Sequence, residues 1–265
     1  MTSEQDDSQY IISSVQRALR LLRLFEHKNT KLSLMEVCKA MSLNKATAFR
    51  LLVTLCDEGF LERDEVTNKY GLGVTVCNLG SSFFASMNIR DIALPVLHRL
   101  ANQSQLIVHF VIKSQDDRLI VIEKIAPDEA GFLHNLTSLR GGELPMHCTG
   151  IGKIFLANMS PDKARAFLEK GPLTKFTAST ETDADAIMAS LPAIAEQGYA
   201  TCLNEHEGYA SSVGCAIRDY TGEICAGISA GGISEMCNDI GMDKVIAMVM
   251  AAAGEISSSL GYRGK

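Results

Sequence analysis

Between residues 44 and 50 the chain carries Asn44, Lys45, Thr47 and Arg50, side chains whose chemistry suits base pairs. Arginine pairs bidentately with guanine, a side-chain amide reads adenine, and a threonine methyl touches the methyl group of thymine. At helical spacing, Lys45, Thr47, Arg50 and Thr54 form one stripe, opposite an apolar stripe of Ala48, Leu51, Leu52 and Leu55. Further along, Arg63, Asn68 and Lys69 cluster around a polar turn and have the donors to hold phosphates, contacts that fix register without specifying sequence.

A second constellation lies at His147, Cys148, Thr149, Gly150, Ile151 and Gly152, where a strand end turns into an apolar helix starting near Gly152. Backbone N–H groups at such a helix start form an anion site. The segment is not a nucleotide-binding loop, because Gly-Ile-Gly-Lys lacks the GxxxxGK[ST] spacing. Residue types alone leave three chemistries open: a thiol nucleophile with a base drawn from His147, Cys148, Glu205 and Cys215; a Zn²⁺ held by His147 with Cys148, Cys215 or Glu205; or a pocket wall. A cysteine beside a glycine-rich turn reads most simply as wall, so neither a catalytic residue nor a metal or cofactor is expected. The eight cysteines include no CxxC pair, and small core residues account for most of them.

These side chains need elements to position them. Ser13 or Ser14 can cap a first helix whose stripe is Val15, Ala18, Leu19, Leu22 and Phe25. Ser33 and Glu36 form a capping box that opens a second helix running to about Met41. After a turn of four residues, Asn44 caps the third, which makes a helix-turn-helix whose second helix offers its N-terminal residues to the major groove. The segments FLERD and KYGLG flank the turn EVTNK as a hairpin, the wing.

Residues 74 to 85, with Val76, Leu79 and Phe83 at helical spacing, read as a connecting helix, followed by another helix from Asn88. LIVHFVIKS and DRLIVIEKI read as a strand hairpin. Beyond the Gly150 turn come helices starting at Ser160 and in DADAIMASLPAIAEQG, the latter kinked or restarted at Pro192. Three short strands, GYATCL, SSVGCAIRD and GEICAGISA, precede a final helix from Asp243 to Leu260. The expected fold class is α+β, with domains at 10–73 and 88–265 joined by a linker helix at 74–87.

At 265 residues the chain exceeds the size at which one core usually keeps growing. Its net charge of −6 would argue against nucleic acid, but the distribution matters more. Residues 8–75 hold ten Lys plus Arg against seven Asp plus Glu, a balance of +3, and the deficit lies outside them. The apolar stretches are too short to cross a bilayer, and the polar, acidic start lacks the features of a secretory signal. A cytoplasmic protein without membrane association is expected.

The run LSLMEVCKAMSLNKATAFRLLVTLCDEGFLERDEVTNKYGLG resembles the DNA-binding domain of the IclR family of bacterial regulators. LPMHCTGIGKIFLA, GYATCLNEHE, VGCAIRDYTGEICAGIS and AAGEISSSLGY resemble that family's sensor domain, so the likeness spans about Ile11 to Tyr262. It implies a winged helix-turn-helix followed by a GAF-like effector-binding domain. By position it also implies a pocket lined by the turn His147 to Gly152, by Glu205, by Ser212, Gly214 and Cys215, and by Ser229. Three departures stand out: Ser42 where the family usually has glycine, Tyr209 for another glycine, and Cys215-Ala216 for an Ala-Pro pair. The resulting expectation is a ligand-responsive transcriptional regulator, a repressor of a metabolic operon, that binds a pseudo-palindromic operator as a homodimer or homotetramer. Its effector would be a small anionic metabolite. The rival expectation is a metabolite-modifying enzyme or metal-dependent sensor with a vestigial winged helix.

Overall fold

Local signals decide where the first helices begin. Ser33 Oγ accepts the Glu36 N–H at 3.3 Å while the Glu36 carboxylate accepts the Ser33 N–H at 2.7 Å, the capping box expected from sequence. In the computed structural model, which describes residues 10–26, 30–85, 88–128 and 140–264, this box opens α2 (Leu34–Met41). Asn44 Oδ1 accepts the Thr47 N–H at 2.9 Å and caps α3 (Lys45–Asp57). Between them Ser42 sits at φ 52° and ψ 40°, the left-handed conformation in which a side chain is disfavoured. Ser42→Gly is therefore expected to stabilise this unit by about 0.5–1 kcal/mol. A thermal melt checks this, and a lower midpoint would mean that the serine side chain contributes more than its strain costs.

α1 (Ser13–Arg23) lies in the same unit, residues 1–87, and departs from its expected stripe. Phe25 of that stripe is buried and Ala18 and Leu22 pack against the core, but Leu21 is buried in place of the expected Val15 and Leu19, which are 51% and 58% exposed. The core is completed by Val37, Ala48, Leu52, Leu55, Leu61 and Tyr70. The wing is the antiparallel pair β1 (Leu61–Arg63) and β2 (Tyr70–Leu72), and Leu32 bridges to Tyr70 beside it. Asp64 shapes the tip: it accepts the Val66 and Thr67 N–H groups and the Lys31 ammonium at 2.9 Å, and these partners hold its carboxyl well below the usual carboxylate range. α4 (Val74–Ala85) follows, as the linker-helix spacing predicts.

The second unit, residues 88–265, is built on a six-stranded antiparallel sheet in the order β5-β4-β3-β8-β7-β6. The strands are β3 (Ile107–Lys113), β4 (Leu119–Ile125), β5 (Glu143–Leu144), β6 (Tyr199–Leu203), β7 (Ala210–Arg218) and β8 (Ile224–Ile233). Helices α6 (Gly150–Ala157), α7 (Pro161–Leu168) and α8 (Ala184–Gln197) form a core with Val111, Leu119, Val121 and Ala200. α5 (Asn88–Ser104) packs on α10 (Met242–Ser259), which also covers β7 and β8. The α+β expectation holds. α8 runs as one helix through Pro192, and α9 (Ser234–Ile240) is a helix the sequence pattern did not suggest.

Among the described residues of this unit, one carboxylate is buried. The Glu123 carboxylate on β4, 2% exposed, pairs with Arg90 Nε of α5 at 2.5 Å and with the Arg140 guanidinium. Among the described residues, no helix is long and apolar enough to cross a membrane.

Candidate functional site

The first site is the solvent face of α3. Ala48, Leu52 and Leu55 face the core, so Lys45, Ala46, Phe49, Arg50 and Val53 face outward. Lys45 and Arg50 are exposed and make no ion pair among the described residues. The other predicted readers are partly engaged. Asn44 commits its oxygen to the cap, leaving its NH₂ as a donor, and Thr47 is half-buried beside it. Thr54 donates its hydroxyl to the Arg50 carbonyl at 2.9 Å. On the wing, Arg63 donates to Asn68 Oδ1 at 2.7 Å and lies 5.9 Å from the Tyr70 ring centroid, while Lys69 stands 3.9 Å from the Glu36 carboxylate. Phosphates would compete with these internal partners.

The second site lies where α6 meets the sheet. Thr149 caps the helix: its Oγ1 accepts the Gly152 N–H at 3.1 Å and donates to the Pro145 carbonyl at 2.7 Å. The glycines around it serve close packing. A Cβ on Gly150 would stand 2.8 Å from the Ala200 carbonyl oxygen, one on Gly152 2.4 Å from the Met146 carbonyl oxygen, and one on Gly214 2.3 Å from the Ile151 nitrogen. Backbone therefore touches backbone between α6 and β7.

Beside this contact is a cavity of about 90 Å³. Of the residues expected at a pocket, Thr149, Gly150, Ile151, Ser212 and Ser229 line it. His147, Cys148, Gly152, Glu205, Gly214 and Cys215 do not. Strand alternation explains Cys215: Ser212 and Gly214 face α6, so the side chain between Gly214 and Ala216 points to the opposite face. His147 is drawn away by its Nε2, 3.0 Å from the Thr174 carbonyl oxygen, and by the Phe176 ring at 6.0 Å. Glu205 is neutralised by Lys153, whose Nζ lies 2.7 and 2.9 Å from its two oxygens, with both side chains 15% exposed.

Sequence reasoning missed Ile107, His109, Glu207 and Ser211, all in the cavity wall, which also holds His206 of the NEHE segment. Thr177 and Thr180 donate to the Asn204 and Glu205 carbonyls at 2.7 and 2.6 Å, which pins the loop that presents His206 and Glu207. Burial pulls the His109 imidazole down to about 4, so it stands neutral at pH 7. Burial also lowers His206. The NEHE segment and the alternation of IVHFVIK were the available signals for these residues.

The two candidate nucleophiles, Cys148 and Cys215, are not activated. Burial, reinforced by neighbouring Cys202 and Glu205, pushes the Cys148 thiol up to about 12, and burial alone does the same for Cys215. A thiolate, the reactive species, is thus strongly disfavoured at both. A chromogenic disulfide reagent at pH 8 is expected to label exposed Cys77 in the native protein but Cys148 and Cys215 only after denaturation. Peptide mapping that found Cys148 labelled as fast as Cys77 would contradict the burial assigned here. No cluster of three or more His, Cys, Asp or Glu able to hold a metal occurs among the described residues.

Comparison with known proteins adds the family. Residues 14–65 match the IclR helix-turn-helix domain, and residues 82–258 match the bacterial transcriptional regulator IclR C-terminal domain. The chain is 30% identical to the HTH-type transcriptional regulator XynR of Escherichia coli, covering 95% of this chain and 98% of that one. It is 28% identical to the transcriptional repressor IclR of the same organism, covering 94% and 90%. A solved IclR homolog of Microbacterium hydrocarbonoxydans, complexed with 4-hydroxybenzoate, has the same fold: TM-score 0.78, 24% identity, 93% and 98% covered. With both of its domains matched in order, the chain belongs to the IclR family of bacterial transcriptional regulators, ligand-responsive proteins that bind DNA.

Proposed function

We propose that this regulator is a homodimeric or homotetrameric repressor in the cytoplasm, using residues 10–73 for a pseudo-palindromic operator, 74–87 as linker and 88–265 as sensor. The observation that carries the reading is the pairing of two features. One is an outward α3 face with exposed Lys45 and Arg50; the other is a cavity capped by a helix start. Repression follows the sense of the IclR relative. A single winged helix covers too few base pairs for useful specificity, and symmetric half-sites call for a two-fold protein. The exposed ridge Tyr10, Ile11, Ile12, Val15 and Leu19 supports contact between copies. The disfavoured thiolates and the pairing of Glu205 with Lys153 support a non-enzymatic role.

The effector we assign is a few-carbon monocarboxylate. A cavity of about 90 Å³ suits a small ligand. Gly150 and Ile151, in the first turn of α6, line the cavity at the positive end of the helix dipole, which favours a carboxylate. Ser212 and Ser229 supply hydroxyls for an oxo or hydroxy group, and Glu207 in the same wall disfavours a second negative charge. The metabolite regulates only insofar as it binds the DNA-competent and DNA-incompetent conformations unequally.

Two measurements test this. In gel shifts, Arg50→Ala is expected to weaken binding to a specific duplex by about 1–3 kcal/mol, whereas Lys69→Ala weakens specific and random DNA alike. Equal losses on both duplexes for Arg50→Ala would remove α3 from recognition. Calorimetric titration of the full chain with two- to four-carbon 2-oxo and 2-hydroxy acids should give binding that Ser229→Val abolishes. Unchanged affinity in that variant would place the effector elsewhere. Gly150→Val is unsuitable as a probe, because its side chain would strike the Ala200 carbonyl rather than fill the cavity.

A further inference from the structure

We propose that α3 reads thymine through an apolar ridge of Ala46, Phe49 and Val53, so that the operators of this protein carry thymine methyl groups where the ridge enters the major groove. The inference rests on α3 being the reading helix.

Spacings of three and four residues place Ala46, Phe49 and Val53 on one helical face. Phe49 is 45% exposed and Val53 46%, while Ala48, Leu52 and Leu55 fill the core on the other side. Together with Arg50 and Thr54, these three side chains make up the outward face, and the ridge is its apolar part. Hydrogen-bonding readers on that face are few. The Asn44 oxygen and the Thr54 hydroxyl are already engaged with backbone. Thr47 is half-buried. What remains is Lys45 and Arg50, both suited to guanine, and the Asn44 NH₂.

Discrimination at other positions must then come from apolar contact. Thymine is the one base that presents a methyl group in the major groove, and alanine and phenylalanine side chains are suited to touch it. The surroundings favour DNA over a second protein helix as occupant. Lys45 and Arg50 flank the ridge with no ion pair among the described residues, which suits the acceptor-rich, anionic surface of DNA and would be costly against an apolar partner. Asp57 and Glu58 at the far end of the helix repel phosphates and confine the contact to the turns that hold the ridge. The apolar ridge of α1 offers a separate surface for contact between copies.

The experiment uses the full chain to select duplexes from a random-sequence library. The selected duplex is then synthesised with uracil replacing one thymine at a time, and each Kd is measured by fluorescence anisotropy at fixed salt. Uracil lacks only the methyl group, so a contacted position should lose about fourfold in affinity. Phe49→Ala should bind the thymine duplex more weakly and show little or no further loss on uracil at its position, while binding to random DNA stays unchanged. Thermal melting of Phe49→Ala checks that the half-exposed substitution leaves the fold intact.

The proposal is overturned if uracil is silent throughout both half-sites, or if its effect persists undiminished in Phe49→Ala and Ala46→Gly alike. It is also overturned if light scattering shows that Phe49→Ala changes the oligomeric mass, which would make the ridge a protein interface. Arg50→Ala separates this failure from that of the underlying reading. Loss of preference in Arg50→Ala with silent uracil removes the apolar ridge alone, whereas an unaltered preference in Arg50→Ala removes α3 as the reader.

Discussion

Gly214→Ala is expected to destabilise the second unit by about 3 kcal/mol, the upper end of what overpacking ordinarily costs. The added Cβ would lie 2.3 Å from the Ile151 nitrogen and 2.5 Å from the Gly150 carbonyl carbon. Both are backbone atoms in the first turn of a helix, so no side chain can swing aside to make room. Shifting α6 as a body is opposed on its other side by Gly152, whose own position lies against the Met146 backbone. Urea denaturation of the full chain, monitored on the transition of the second unit, measures the loss. Gly254→Ala is the matched control, since nothing lies within 4 Å of its Cβ on α10. There the change should stabilise by about 0.5–1 kcal/mol through helix propensity. Equal midpoints for Gly214→Ala and the parent would mean that the α6–β7 contact is looser than described.

The second large effect is expected at Glu123. With Arg90→Ala and Arg140→Ala together, a carboxylate only 2% exposed loses both guanidinium partners. Leaving a buried charge uncompensated costs about 3–5 kcal/mol. Each arginine alone should cost less, because the other remains, and the two losses should not add. Adding Glu123→Leu to the double variant is expected to recover most of the stability, because a well-packed apolar side chain replaces a buried ion group at little cost. A triple variant no more stable than the double would locate the loss in arginine packing rather than in the stranded charge. Arg90 stands in the first turn of α5, directly after the boundary between the units, so this group also anchors the start of the sensor.

The DNA-binding unit was legible because its determinants are local. The Ser33 capping box, the Asn44 cap and the apolar stripe of α3 each act within one helical turn, and all appear where the spacing put them. What the spacing could not decide was which apolar residues remain outside. Val15 and Leu19 fit the same stripe as buried Phe25, yet Leu21 fills the core in their place, and Phe49 and Val53 also stay exposed. In the sensor the strands were legible and their neighbours were not. Ser212 and Ser229 reach the cavity, but so does His109, because β3 pairs with β8 and sets His109 opposite Ser229. That pairing joins segments more than a hundred residues apart, and no local rule supplies it. Cys215 was misplaced for a simpler reason: alternation along β7 forbids it from sharing a face with Gly214.

The central position of β8 also bears on how the molecule is made. β8 hydrogen-bonds to β3 on one side and β7 on the other, so the sheet has no middle until residue 233 has been synthesised. The first unit needs nothing beyond residue 87. At roughly 5–20 residues per second, translation from one point to the other takes about 7–30 s, long compared with the folding of a small helical domain. A nascent chain would thus carry a finished winged helix well before its sensor exists. During that interval β3 and β4 form a hairpin with an open edge, prone to pair with another chain. On ribosomes stalled between those two points, the winged helix should resist protease while the incomplete sheet is digested.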